Sequence, residues 1–118
     1  MANGSHPVRS LLSALSAPQI VAKLAQLQGW RLSGDGADLA IEKTFAFKGY
    51  LQTIAFVNAV AFVAEQSDHH PELRVGYTTC SVRWRTHDVK GISISDFECA
   101  AKIDALLGEH QVARHPLG

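Results

Sequence analysis

The spacing of apolar residues changes several times along the chain, and each change marks an element. Ile20, Val21, Leu24 and Leu27 recur every three or four residues, the spacing of a helix face. Ser16 is placed to cap that helix, Pro18 suits its first turn, and Gln19 completes a capping box. Gly29 is placed to end it. Trp30 to Leu32 reads as a short strand, and Ser33-Gly34-Asp35-Gly36 as a turn. Leu39, Ile41, Lys43, Phe45 and Phe47 then alternate with Ala40, Glu42, Thr44 and Ala46. That period of two predicts a strand with one apolar face. Lys43 interrupts this face, which suggests a place near a sheet edge. Leu51 to Gln66 lacks Gly and Pro and is rich in Ala. Ile54, Val57, Ala61 and Ala64 form one stripe, widened by Phe56, Val60 and Val63, so a long, well-buried helix is expected. Pro71 stops helical continuation and biases His70 toward extended backbone.

Leu73 to Tyr77 and Cys80 to Arg85 predict two further strands. In the second, Val82 and Trp84 share one face, and Arg83 and Arg85 take the other. Ser95-Asp96-Phe97-Glu98 reads as another capping box, opening a helix to Leu107. Its stripe is Phe97, Ala100, Ile103 and Leu107, and Gly108 is expected to stop it. The order α-β-β-α-β-β-α with short connections predicts an α+β fold: a four-stranded antiparallel sheet with three helices packed on one face. Residues 1–14 are expected to form a flexible N-terminal arm, 15–108 a single domain and 109–118 a C-terminal tail.

The chain of 118 residues suits one domain and can bury about two-thirds of its unfolded surface. With 47% hydrophobic and 19% charged residues it has a globular composition. Basic and acidic residues both number 11, so no positive field exists to attract nucleic acid or anionic lipid. Direct nucleic-acid binding is not expected. Cys80 and Cys99 form no CxxC and suggest two buried thiols in a reducing, cytoplasmic setting. No apolar run reaches membrane-spanning length, and the N-terminus lacks a signal-peptide core.

Three of the six histidines, His69, His70 and His87, carry the candidate chemistry. Imidazole gives or takes a proton near neutral pH. Glu65 lies four residues before His69 and shares its helix face if the helix persists, where a carboxylate fixes an imidazole tautomer. Two other readings of the pair stand beside this one. A His-His pair can be a solvated helix end favoured by the helix dipole. A metal site is the weaker alternative, because adjacent imidazoles rarely converge on one ion. Tyr77 and Trp84 read first as core residues, and Asp96 as a first-turn carboxylate.

The string Glu65-x-x-x-His69-His70-Pro71, then Tyr77, His87 and Asp96 at fixed spacing, resembles the signature of the pterin-4a-carbinolamine dehydratases. The likeness extends to Leu27-x-Gly29-Trp30, to Phe45-x-Phe47-Lys48 with Tyr50, and to Thr86-His87 with Gly91. It covers about residues 15 to 107. One departure is Val75-Gly76-Tyr77-Thr78, where the family commonly reads Asn-Val-Tyr-Asn.

The resemblance implies a hydro-lyase that dehydrates 4a-hydroxytetrahydropterin to quinonoid dihydropterin, with no metal or organic cofactor. It implies His69, His70 and His87 as the acid–base set, with Glu65 and Asp96 orienting imidazoles. Asp68, Pro71, Arg85 and Thr86 would line the pterin pocket, and Trp30 would offer an aromatic wall. It also implies a homodimer or homotetramer, which a small sheet with free edges and an apolar helix suits. The competing expectation is a non-enzymatic module on the same fold, a transcriptional dimerisation cofactor or a Rubisco assembly factor.

Overall fold

The computed structural model describes residues 12–114, with side chains through Gly108. Helix α1 spans Ala17–Leu24, and Ser16 and Gln19 close its start with the expected capping box. Strands β1 (Arg31–Ser33) and β2 (Ala40–Ala46) follow, then helix α2 (Tyr50–Ser67). Strands β3 (Glu72–Val75) and β4 (Thr79–Trp84) precede helix α3 (Ile94–Arg114). Single 3-10 turns occupy Gly36–Asp38 and His87–Val89. The expected α+β order is therefore the observed one.

All strand pairs are antiparallel, in the spatial order β1-β2-β4-β3. Alternation along β4 sends Cys80, Val82 and Trp84 into the core with Phe56 and Val60 of α2 and Phe97, Ala100 and Ile103 of α3. The opposite face of the sheet is polar. There, Arg31, Glu42, Arg83 and Glu72 stand in register across all four strands. Charges of alternating sign in one row favour this pairing over a slipped register.

Several local expectations are corrected. Strand β2 is central, so Lys43 is not at an edge. Its ammonium donates to Asp104 Oδ1 at 2.9 Å and to the Gln28 carbonyl at 3.1 Å. A cation on the helix side of the sheet is tolerated because α3 supplies its counter-charge. Helix α2 buries Thr53, Phe56, Val60, Val63 and Ala64 rather than a stripe centred on Ile54, Val57 and Ala61. Leu51 and Phe62 on its other side stay exposed, at 83% and 64%. An all-round apolar helix carries no phase, so only packing selects the buried face.

Helix α2 also ends before Pro71 can act. Asp68 takes a left-handed conformation (φ 50°, ψ 43°), and the His69 N–H closes the cap on the Ala64 carbonyl at 3.1 Å. Helix α3 begins earlier than expected, with Ser93 rather than Ser95 at its head, and runs through Gly108 to Arg114. Gly108 therefore does not stop it, and a Cβ there would meet no atom within 4 Å among the described residues. Gly108→Ala is expected to stabilise the protein by about 0.5–1 kcal/mol. A loss of stability in urea unfolding would instead place Gly108 in a conformation that alanine cannot adopt.

Candidate functional site

The left-handed turn at Asp68 decides where the two adjacent histidines go. It swings His69 inward, where the residue is 3% exposed, and leaves His70 at the surface. The expected pairing of Glu65 with His69 is therefore overturned. Four-residue spacing brings two side chains together only while the helix continues, and α2 ends at Ser67. Glu65 Oε2 instead lies 2.7 Å from His70 Nε2. Both members of this pair are exposed, so water screens the attraction and it adds little stability.

His69 finds a different carboxylate. Its Nε2 lies 2.6 Å from Asp96 Oδ1, and the Asp96 side chain is fully buried. The other oxygen, Oδ2, accepts from the Thr86 hydroxyl at 2.8 Å and from the Ser93 N–H at 2.9 Å. With its proton committed to Asp96, Thr86 Oγ1 accepts from the Ser93 hydroxyl at 2.6 Å. Ser93 Oγ in turn accepts from the Ser95 N–H at 3.2 Å. Every donor in this buried chain has an acceptor. An ionised carboxylate only accepts, so a neutral His69 carries its proton on Nε2 and presents Nδ1 as the basic nitrogen.

Asp96 thus serves two structures at once. It occupies the third position of α3 and caps the backbone N–H of Ser93, and it holds the His69 ring. The helix head is capped through Ser93 and Asp96, not Ser95 and Glu98: Asp96 accepts from the Ser93 N–H, and Ser93 Oγ accepts from the Ser95 N–H. The pattern of Ser followed three residues later by an acid fits both registers, and only the first places its acid in the core.

Thr86 starts the turn that carries His87, and its N–H donates to the Gly91 carbonyl at 2.8 Å. His87 is exposed at the head of this turn. The Asp96 carboxylate therefore connects His69, at the end of α2, to the Thr86–His87 segment after β4. Pro71 directly follows the histidine pair and is partly buried. Asp68 forms the turn itself.

The contacts of the other expected site residues run elsewhere. Trp30 is buried, edge-on to Phe45 at 6.1 Å between ring centroids, and its indole N–H donates to Asp104 at 3.0 Å. Arg85 reaches toward Asp38 and the Ala37 carbonyl. Tyr77 is exposed on the β3–β4 turn, its ring 6.3 Å from that of Tyr50.

Two participants had no place in the sequence reading of the site. Ser93 supplies the last hydroxyl of the buried chain. Trp84, read as core, stacks on His69 with centroids 5.2 Å apart and planes at 28°. Its position three residues before His87, on the apolar face of β4, was the available signal. The Trp84 indole N–H is buried without a hydrogen-bond partner among the described residues. Such an orphan donor costs about 1–3 kcal/mol.

Elsewhere, a cleft of about 400 Å³ on the open sheet face is lined by Glu42, Glu72, Arg74 and Arg83. Arg83 pairs there with Glu72 at 2.7 Å and with Glu42 at 3.7 Å. Burial lowers the proton affinity of Arg83, but the hydrogen bond to Glu72 and the charges of Asp38 and Glu72 outweigh it, and the net shift is upward. Burial pushes the Cys80 and Cys99 thiols up as well. A raised value keeps both neutral at pH 8, so native protein should react with a thiol-specific disulfide reagent far more slowly than unfolded protein. Equal rates before and after unfolding would place the thiols at the surface. No group of three metal-ligating side chains occurs among the described residues.

Comparison with known proteins bears on this arrangement. The family model described as pterin 4 alpha carbinolamine dehydratase matches residues 13–106. A relative in Paracidovorax citrulli is 65% identical over 94 residues, covering 80% of this chain and 81% of its own. One in Bdellovibrio bacteriovorus is 54% identical over 108 residues, covering 88% and 84%. Both carry names that assign them provisionally to pterin-4-alpha-carbinolamine dehydratase. A crystal structure of a transcriptional coactivator/pterin dehydratase from Brucella melitensis superposes with a TM-score of 0.73 at 30% identity, over 79% of this chain and 97% of that one. A pterin dehydratase-like protein identified as a RuBisCO assembly factor in the alpha-carboxysome gives 0.58, also at 30% identity, over 69% and 92%.

Proposed function

The chain belongs to the pterin-4-alpha-carbinolamine dehydratase family, and from that premise we propose that it is a hydro-lyase converting 4a-hydroxytetrahydropterin to quinonoid dihydropterin. The observation that carries this reading is the Asp96–His69 pair joined to the Thr86–His87 turn, with the His70–Glu65 pair beginning at the next residue.

The reaction breaks the carbon–oxygen bond of the carbinolamine and removes a proton from the neighbouring ring nitrogen. Hydroxide is a poor leaving group, so an imidazolium donates a proton and the product is water. The nitrogen lone pair forms the new carbon–nitrogen double bond, and a neutral imidazole takes the nitrogen's proton. Each positioned transfer typically contributes about a hundredfold to ten-thousandfold. His69, His70 and His87 are the proposed acid–base set. Glu65 and Asp96 orient two of the rings. Asp68, Pro71 and Thr86 adjoin these histidines in the chain and are the proposed lining of the pterin pocket. The reaction as proposed needs no metal or organic cofactor.

The test is stopped-flow absorbance with chemically prepared 4a-carbinolamine. Acceleration over the spontaneous rate supports the reading, and an unchanged rate removes it. The proposed setting is the cytoplasm, on the strength of two buried, unpaired cysteines. No helix among the described residues is long and apolar enough to cross a membrane.

We further propose a homodimer or homotetramer, supported by the exposed Leu51 and Phe62 on α2 and by the two edge strands β1 and β3. Light scattering should then give two or four times 12.8 kDa. The same exposed side chains favour a second reading, a protein-interaction module, which the likeness to an assembly factor also suits. A stoichiometric partner recovered from the native source, with no dehydratase activity, would support that reading over the first.

A further inference from the structure

Asp96 holds one nitrogen of His69, but one hydrogen bond leaves a ring free to turn about the donor–acceptor axis. The Trp84 indole lies against the face of that ring. The two rings lie 5.2 Å apart and 28° from parallel, and Trp84 and His69 are 0% and 3% exposed. Trp84 ends β4 two residues before Thr86, so one segment supplies both the platform under His69 and a hydrogen-bond partner of its carboxylate. Val82, Ile92 and Ile103 fill other fully buried positions with no polar atom. At Trp84 the core instead keeps an indole whose N–H has no partner among the described residues. The face of the ring, not its N–H, is what this position uses.

We propose that Trp84 is a positioning residue, whose indole face fixes the plane of the His69 imidazole so that Nδ1 keeps a single direction toward the reacting groups. The inference rests on the dehydratase reading for its consequence in turnover. The order of the His69 ring can be measured without substrate.

The experiment combines NMR of histidine-labelled protein with steady-state kinetics for wild type, Trp84→Phe and Trp84→Leu. Wild type should show through-space contacts between the indole and one fixed edge of the imidazole. Trp84→Phe keeps an aromatic face and should keep both the ordered ring and the turnover. Trp84→Leu should lose the single ring orientation, and kcat should fall about tenfold to a hundredfold while KM holds. A rise in KM at unchanged kcat would make Trp84 a wall of the substrate pocket and overturn the proposal. So would an ordered ring and full kcat in the leucine variant. Should that variant fail to fold, a mobile His69 ring in wild type, or an unaltered ring with lost kcat in Trp84→Phe, would overturn it equally. Absence of any activity in wild type would refute the dehydratase reading, while the ring-order comparison would still decide the role of Trp84.

Discussion

Replacing Asp96 with alanine is expected to destabilise the protein by about 3–5 kcal/mol, because three buried donors lose their acceptor at once and each orphaned donor costs about 1–3 kcal/mol. Alanine leaves the His69 Nε2–H, the Thr86 hydroxyl and the Ser93 N–H without their acceptor, inside a fully buried space. Urea unfolding measures this, and a loss under about 1 kcal/mol would mean that water already reaches the carboxylate. Alanine therefore mixes a folding defect with any chemical one.

Asp96→Asn separates them. An amide keeps the shape but offers one oxygen and one NH2. The Oδ2 position faces two donors and the Oδ1 position only one, so the oxygen should turn toward Thr86 and Ser93. The NH2 then faces His69, and Nε2 must become the acceptor. The ring would carry its proton on Nδ1, the tautomer opposite to the one the carboxylate selects. Stability should be lost only modestly, while kcat falls by about a hundredfold to ten-thousandfold. Nitrogen NMR of the histidines reports the tautomer directly. An Asn variant with wild-type kcat would remove Asp96 from the mechanism and leave it as a helix cap.

The second large effect concerns His70 and His87. Each alanine variant is expected to lower kcat by about a hundredfold to ten-thousandfold with stability changed by less than about 0.5 kcal/mol. The small structural effect follows from exposure. His87 lies at the surface, and the His70 side chain is 58% exposed. His69→Ala should behave differently, because it strands a buried carboxylate and so costs stability as well as rate. Thermal unfolding alongside stopped-flow kinetics distinguishes the three. Full turnover in both His70→Ala and His87→Ala would sink the acid–base assignment. Losses in a double variant should fall short of the summed single losses if both groups act in one transition state.

The elements of the fold were legible because each is encoded by a local period. Leu39 to Phe47 alternates as only a strand does, and Ser16 with Gln19 announces a helix start from four consecutive residues. The family signature was equally local, since it is a matter of residue type and spacing from Glu65 to Asp96. Partnership was not legible. The pattern allowed Glu65 to serve His69, and a single left-handed residue at Asp68 redirected it to His70. The pairing of His69 with Asp96 spans 27 residues and exists only because α3 packs against the end of α2 and β4. The same packing drew Trp84 under the imidazole, chose which side of an all-apolar α2 is buried, and gave Lys43 its counter-ion in α3. Periodicity records which face of an element is apolar, because burial acts on each residue singly. Contacts between particular side chains depend on the relative placement of several elements, and that is settled only when the core closes.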